Sequence, residues 1–358
     1  MEMKDDVQRI QKKKVFICGG GHQGLAMAAH LALNNMEVTL WNRTLENIKE
    51  IHKNKKICCK GVVEGVATIK EASDSIQDVF ADFIMVTTPS SAHKDIAKKL
   101  APYVDENTII VLNPGRTFGA IEFANTLKQY GVKKMPQIAE TQTIVYTCRK
   151  NNANSVTIFA LKENVEISAI KNSDVNYIMS KMPMCLKKHF TVASSVAETS
   201  LSNVGMVLHC APVLMNVGWI ETEKVDFKYY YDGISKSVAK FLEKIDEERL
   251  AVADAAGYKI KSVPEWIKET YKVEGDTLYE CLRANKAYKE IDAPPSINSR
   301  YITEDVPNGL VPVEGLGKQL GVKTSNITTI INLANALMEC DYRKTGRVFS
   351  LETLKKYF

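Results

Sequence analysis

Three side chains in the second half of the chain carry the groups that acid–base and anion chemistry need: His209, Arg300 and Asp305. His209 closes an apolar run, Val204-Gly205-Met206-Val207-Leu208, and Pro212 follows three residues later. Proline within a helix removes a backbone donor and clashes with the preceding turn, so the helix is expected to kink or stop here, leaving an imidazole at the break. Imidazole titrates near neutrality and suits proton transfer. Arg300 offers a planar fork for a carboxylate. Asp305 can orient a histidine and stabilise its protonated form. The segment 299–310 that bears them reads as a loop, by its Pro307-Asn308-Gly309 end. A lone histidine is more often a satisfied core residue, and an Arg–Asp pair is often a surface ion pair, so the residues by themselves leave both readings open. Of the other histidines, His30 and His52 fit helix faces, His93 a helix start, and His189, beside Lys187 and Lys188, an exposed site.

A second constellation is Gly19-Gly20-Gly21-His22-Gln23-Gly24. It follows the apolar run Val15-Phe16-Ile17-Cys18 and opens an Ala- and Leu-rich stretch. That strand–turn–helix context is what a dinucleotide cradle requires. Gly19 makes the tight turn, Gly21 lets backbone approach a pyrophosphate, and Gly24 lets helix and strand pack closely. His22 supports the loop's shape and Gln23 lies inside it. Free N–H groups at the helix start hold the anion. The end of the next strand, Trp41-Asn42-Arg43-Thr44, should read the adenosine ribose. A carboxylate is usual there for NAD(H), and none is present. Arg43 can pair with a 2′-phosphate, with Asn42 and Thr44 donating to it, so NADP(H) is preferred and NAD(H) is the alternative. Thr88 and Pro89 end a later strand and are expected to touch the same cofactor. Asn113-Pro114-Gly115-Arg116-Thr117 ends the strand after that.

The elements that must hold these residues change character along the chain. In the first half, apolar runs such as Phe83-Ile84-Met85-Val86 and Ile109-Ile110-Val111-Leu112 alternate with helical stretches. Strands apolar throughout predict an α/β fold with a parallel sheet covered on both faces. Residues 57–69 read as a small hairpin insertion, with three short strand candidates at 137–139, 144–146 and 156–159. Beyond about residue 195 the texture is helical: 198–208, 233–256, 264–271 and 278–288. The tail segment 327–338 is strongly periodic and reads as domain core or as the face of a possible homodimer. The expected division is 1–195 for the dinucleotide and 196–358 for a helical part that carries substrate groups.

Composition narrows the function classes. The chain has 358 residues, 45% of them hydrophobic and 25% charged, which excludes a mainly disordered protein. No apolar run approaches the roughly 18 residues of a membrane-spanning helix. The charged start has no apolar stretch behind it and is not read as a secretory signal. The net charge of +5 suits small anions and is too mild to argue for nucleic acid. The eight cysteines show no CxxC spacing and read as free thiols, with no metal site, in the cytoplasm.

In their order along the chain, the glycine loop, Asn113-Pro114-Gly115-Arg116, Glu140-Thr141, Asn203 with His209, and Arg300-Tyr301 with Glu304-Asp305-Val306-Pro307 resemble the octopine/nopaline (opine) dehydrogenase family over nearly the whole length. That family often has proline directly after the histidine; here Cys210 stands there. The resemblance implies an N-terminal Rossmann domain, a C-terminal helical domain, and NAD(P)H-dependent reductive condensation of an amino acid with a 2-oxo acid, commonly pyruvate. It implies His209 as the acid/base, Asp305 as its partner and Arg300 as the anchor of a substrate carboxylate. Glu140 is then expected at the amino-acid substrate, with a structural role as the alternative, and Asn203 at the substrate or the nicotinamide. Asn203, six residues before His209, would lie roughly 120° around a regular helix from it. The competing readings are a glycerol-3-phosphate dehydrogenase- or ketopantoate reductase-like enzyme, which would use a lysine, a simple 2-hydroxy acid dehydrogenase, and an NADP(H) sensor without catalysis.

Overall fold

A computed structural model describes residues 12–79, 81–222 and 226–358. The reading of the charged start as no secretory signal falls on a segment largely outside those residues. The strands are β1 Lys14–Cys18, β2 Glu37–Trp41, β3 Lys56–Gly61, β4 Gly65–Thr68, β5 Glu71–Ser73, β6 Phe83–Val86, β7 Ile109–Leu112, β8 Gln137–Thr141, β9 Tyr146–Asn152, β10 Ser155–Leu161, β11 Val165–Ala169 and β12 Phe190–Val192. Eight form one sheet in the order β12-β11-β8-β7-β6-β1-β2-β5. Every pairing is parallel except β11 with β8. The expected α/β fold of Rossmann type, followed by helices, is what forms. The wholly apolar β6 and β7 are buried along their full length. Cys18 lies level with Trp41 and Val86, Val86 with Leu112, and Leu112 with Glu140. The segments that leave these strands therefore open on one sheet edge. Strand order reverses at β1, the place where such sheets bind ligands.

The hairpin expected at 57–69 exists as β3 and β4, but β9 and β10 extend it into a second sheet, β4-β3-β10-β9. The strand expected at 144–146 begins only at Tyr146 and runs to Asn152. Its half-exposed sequence, Tyr-Thr-Cys-Arg-Lys-Asn-Asn, carries little apolar pattern. The helix His22–Leu33 lies between the two sheets. Residues Gly24 through Leu31 are all buried, which suits a helix that is apolar on every side. His189, expected at the surface, is 8% exposed, because its carbonyl accepts from Val165 as β12 joins β11.

The helical half departs from expectation at two places that matter. The helix expected over 198–208 is two helices, Val196–Leu201 and Gly205–Met215. Ser195 caps the first, accepting from the N–H of Ala197 and Glu198, and Asn203 Oδ1 accepts from Gly205 N at 3.2 Å to open the second. Pro212 neither stops nor ends that second helix. It leaves the carbonyl of Leu208 without its usual donor, and the buried Tyr229 hydroxyl supplies one at 3.3 Å while donating to the His209 carbonyl at 2.7 Å. The segment expected as a loop at 299–310 is a helical turn, Arg300–Thr303, followed by a π-helical turn, Val306–Leu310, that runs into the helix Val311–Leu320. Pro307 and Pro312 sit in first turns, where a missing N–H is harmless. One sheet face, with Ile84, Val86, Ile110 and Leu112, shares a continuous core with Val196, Val207 and Leu242 of the helices. Among the described residues no helix is long and apolar enough to cross a membrane.

Tyr229→Phe deletes the single O–H that the Leu208 and His209 carbonyls share, a loss of about 1–3 kcal/mol. The thermal midpoint is expected to fall by several degrees, measured by calorimetry. An unchanged midpoint would show that the helix through Pro212 does not rely on this hydroxyl.

Candidate functional site

The glycine loop is a cradle by its geometry. Gly19 adopts φ +118°, which favours glycine, and a Cβ at Gly24 would sit 1.7 Å from the Gly19 carbonyl. A Cβ at Gly21 would meet nothing, so the backbone there faces open space. The second sheet clasps this loop. Lys150 N donates to His22 Nδ1 at 3.1 Å, and Lys150 Nζ donates to Asn47 O at 3.1 Å. His22 thus supports the loop's shape, and Lys150 places a cation beside it that sequence reasoning missed. Burial lowers the Lys150 pKa from the ordinary lysine value. Asn42 Oδ1 accepts from Gly20 N at 3.0 Å, and its amide donates to Thr44 O at 2.8 Å. Asn42 therefore has one amide N–H left for a ligand. Asn42, Arg43, Thr44, Thr88 and Pro89 line one cavity of about 310 Å³ at the sheet edge. Thr88 Oγ1 is buried there with no hydrogen-bond partner among the described residues. An open backbone cradle, an unpartnered hydroxyl and an exposed arginine fit a nicotinamide dinucleotide.

A second cavity, of about 180 Å³, lies between the sheet and the helices. It brings together Gln23, Asn203, His209 and Arg300, along with Arg116, which the sequence reading did not single out for the site. His209 Nδ1 lies 2.7 Å from Asp305 Oδ2. Asp305 is 1% exposed. Burial raises its pKa, but the charges of Arg116 and His209 outweigh that and hold the carboxyl below the ordinary aspartate range. The carboxylate fixes the Nδ1–H tautomer, so Nε2 is the atom free to meet a ligand. Burial lowers the His209 pKa; Asp305 opposes this, while Arg116 and Arg300 add to it. Tyr301 stacks on the imidazole, centroids 4.1 Å apart.

Arg116 ties the two halves together. Its Nε lies 3.4 Å from Glu304 Oε1, and its Nη1 lies 3.6 Å from Asp305 Oδ1 and 3.4 Å from Asn203 Oδ1. Asn203 sits in the break between two helices, so the regular-helix estimate of its direction does not apply, yet the break turns it toward the same cleft. Arg300 lies at the mouth, exposed and in no ion pair among the described residues. Glu140 is a correction. It is fully buried, accepting from Ala120 N at 2.8 Å, Ser200 Oγ at 2.6 Å and Thr199 Oγ1 at 3.0 Å. It caps the helix Gly119–Gln129 and does not face the cleft. Among the described residues no group of three metal-ligating side chains occurs.

Residues 192–338 match the family model described as NAD/NADP octopine/nopaline dehydrogenase, alpha-helical domain, and residues 15–114 match that of ketopantoate reductase PanE/ApbA. The opine dehydrogenase of Arthrobacter sp. (strain 1C) is 35% identical over 343 residues, covering 94% of each chain. A solved octopine dehydrogenase with NADH and L-arginine superposes with a TM-score of 0.74 at 21% identity, over 92% of this chain and 90% of that one. A yersinopine dehydrogenase with NADP+ gives 0.72 at 11% identity, over 96% and 95%. These two likenesses are of fold.

Burial pushes the Glu140 carboxyl up to about 7 from its ordinary 4.5, against its three hydrogen bonds. Between those values the folded protein holds a proton that the unfolded chain releases, so this residue's contribution to stability falls as pH rises. Glu140→Gln should flatten that slope in melting curves and leave the Michaelis constants of both substrates within about threefold. A large rise in a Michaelis constant with unchanged melting would return Glu140 to the substrate.

Proposed function

The chain belongs to the octopine/nopaline (opine) dehydrogenase family, and from that premise we propose that it condenses the amino group of an amino acid with the keto carbon of a 2-oxo acid such as pyruvate, using His209, Asp305 and Arg300. The enzyme is an NAD(P)-dependent oxidoreductase acting on a CH–NH bond. The observation that carries the assignment of roles is the 2.7 Å contact of a buried Asp305 with His209, in whose cleft stands Arg300, unpaired among the described residues. Sheet residues up to 195 take the nucleotide and the helical part, 196–358, supplies the proton and the carboxylate anchor. The eight free thiols suit the reducing cytoplasm.

Bound on the glycine loop, the reduced nicotinamide supplies a hydride to the imine carbon. The residues of the chain handle the rest. Arg300 pairs with the carboxylate of the 2-oxo acid and aims its keto carbon at the amine. Addition of the amine yields a carbinolamine whose hydroxyl must leave as water. Protonated His209 donates from Nε2 to that oxygen, and Asp305 stabilises the imidazolium before transfer. In the reverse direction neutral His209 accepts the proton. Asn203, at the wall beside it, contacts substrate or nicotinamide.

NADP(H) is the favoured nucleotide. Arg43 stands exposed at the end of β2, and the residue that an NAD(H) site makes acidic is Asn42, held by Gly20. Arg43→Ala should raise the Michaelis constant for NADPH roughly 10- to 100-fold, as for a lost charge-assisted hydrogen bond, with little change for NADH. Equal constants for the two nucleotides in the wild type would overturn the preference.

The reaction itself is tested by following NADPH absorbance with pyruvate and a mixture of amino acids. Oxidation is expected only with both present; oxidation by pyruvate alone would make the protein a 2-hydroxy acid dehydrogenase. Because the protonated imidazole is the donor, the reductive rate should fall as pH rises through a His209 pKa that lies below the ordinary histidine value. Asp305→Asn removes a group that raises this pKa, so the falling limb moves to lower pH and turnover drops steeply while NADPH binding persists. A limb unmoved in that variant would remove the pair from the mechanism.

A further inference from the structure

Two substrates that each bear a carboxylate call for two cations, and Arg300 accounts for one. Lys162, which leaves the end of β10, lines the same cleft and is 9% exposed. Its Nζ donates to Ile144 O at 3.0 Å and Thr143 Oγ1 at 3.2 Å. An ammonium has three N–H donors, so one is left over. The charged or titratable groups around it are Arg116, which is cationic, and the Cys148 thiol, which burial pushes up to about 12. No carboxylate among the described residues pairs with Lys162. Burying an ammonium without a counter-charge is unfavourable, and an anion brought into the cleft relieves that penalty.

We propose that Lys162 is the binding site for the carboxylate of the amino-acid substrate. The claim rests on the reading that the cleft takes an amino acid and a 2-oxo acid. The division of labour follows from position. Arg300 stands at the mouth among the helices and Lys162 at the sheet side, so each substrate is held by its own cation and the amine and keto carbon meet between them, beside His209. Arg116 cannot take this place, since Glu304 and Asp305 already engage it. Burial, together with the charge of Arg116, lowers the Lys162 pKa to about 8. The anion site is therefore intact below that pH and lost above it, while Arg116 and Cys148 keep their protonation through the range.

The test is direct binding, by calorimetry on the NADPH-loaded protein without any 2-oxo acid, of three pairs: L-phenylalanine and phenethylamine, L-methionine and 3-(methylthio)propylamine, L-arginine and agmatine. In the wild type the amino acid of at least one pair should bind roughly 10- to 100-fold tighter than its carboxylate-free amine, the range of a charge-assisted hydrogen bond. In Lys162→Met that ratio should collapse to about threefold or less, because only the carboxylate-bearing partner loses affinity. A merely structural role would weaken both partners alike and keep the ratio, which would overturn the proposal. So would a wild type that does not prefer any of the amino acids, or a variant in which only pyruvate binding suffers. Should the variant fail to fold, wild-type binding of 3-phenylpropanoate, whose carboxylate does not titrate in this range, is measured from pH 7 to pH 10 instead: its affinity should fall above about pH 8, and an unchanged affinity would overturn the claim. Because binding is read without turnover, a collapsed ratio with no NADPH oxidation by any mixture refutes the proposed reaction and leaves Lys162 standing. Oxidation with an unchanged ratio does the reverse.

Discussion

The site depends on keeping the Asp305 carboxylate charged out of water. Taking such a group into the interior is unfavourable by several kcal/mol unless partners meet it with good geometry. His209 does so with a hydrogen bond at 2.7 Å, and Arg116 adds an opposite charge at 3.6 Å. Neither is there by its own preference. Arg116 adopts φ +60°, a left-handed conformation that a non-glycine residue holds only under constraint. The constraint is visible beneath it. A Cβ at Gly115 would lie 2.2 Å from Glu140 Oε2, so the chain passes directly over the buried glutamate that caps the helix Gly119–Gln129. Glu140 therefore acts at a distance, shaping the turn that delivers Arg116.

The two halves are joined by polar contacts as well as by the shared core. Ser90, just past Thr88 and Pro89, donates its N–H to Glu304 Oε1 at 2.9 Å and accepts at Oγ from Asn308 Nδ2 at 3.1 Å. Its carbonyl accepts from Arg347 Nη2 at 3.1 Å. Arg347, 2% exposed, comes from the tail of the chain and also donates to the carbonyls of Gly115 and Thr117, each at 3.1 Å, and pairs with Glu122 at 2.8 Å. One buried arginine thus fixes the loops after β6 and β7 against the segment that carries Asp305. The edge proposed for the nucleotide and the His209–Asp305 pair share a frame.

What the sequence disclosed follows from the range of each cause. The glycine loop was legible because its demands are local: a positive φ at Gly19, a close packing at Gly24. β6 and β7 were legible because burial on both faces makes them apolar throughout. The helix break at Asn203 and the helical course of 299–310 were not, since a side-chain cap and prolines in first turns mimic loop signals. The second sheet was missed because β9 is half exposed and mostly polar. Arg116, Lys162, Arg347 and the structural part played by Glu140 come from contacts between distant segments, and a single sequence carries no sign of those. The resemblance implies one reaction for His209, Asp305 and Arg300; the fold puts His209 and Arg300 in one cleft, with Asp305 buried behind the imidazole.

The most direct test of the central claim is a crystal structure of the protein with NADPH and a 2-oxo acid bound. The account predicts His209 Nε2 within hydrogen-bond distance of the substrate oxygen, Nδ1 still on Asp305, and the keto carbon between the imidazole and the nicotinamide. An imidazole turned into the helix core, or a keto acid held away from it, would contradict the account.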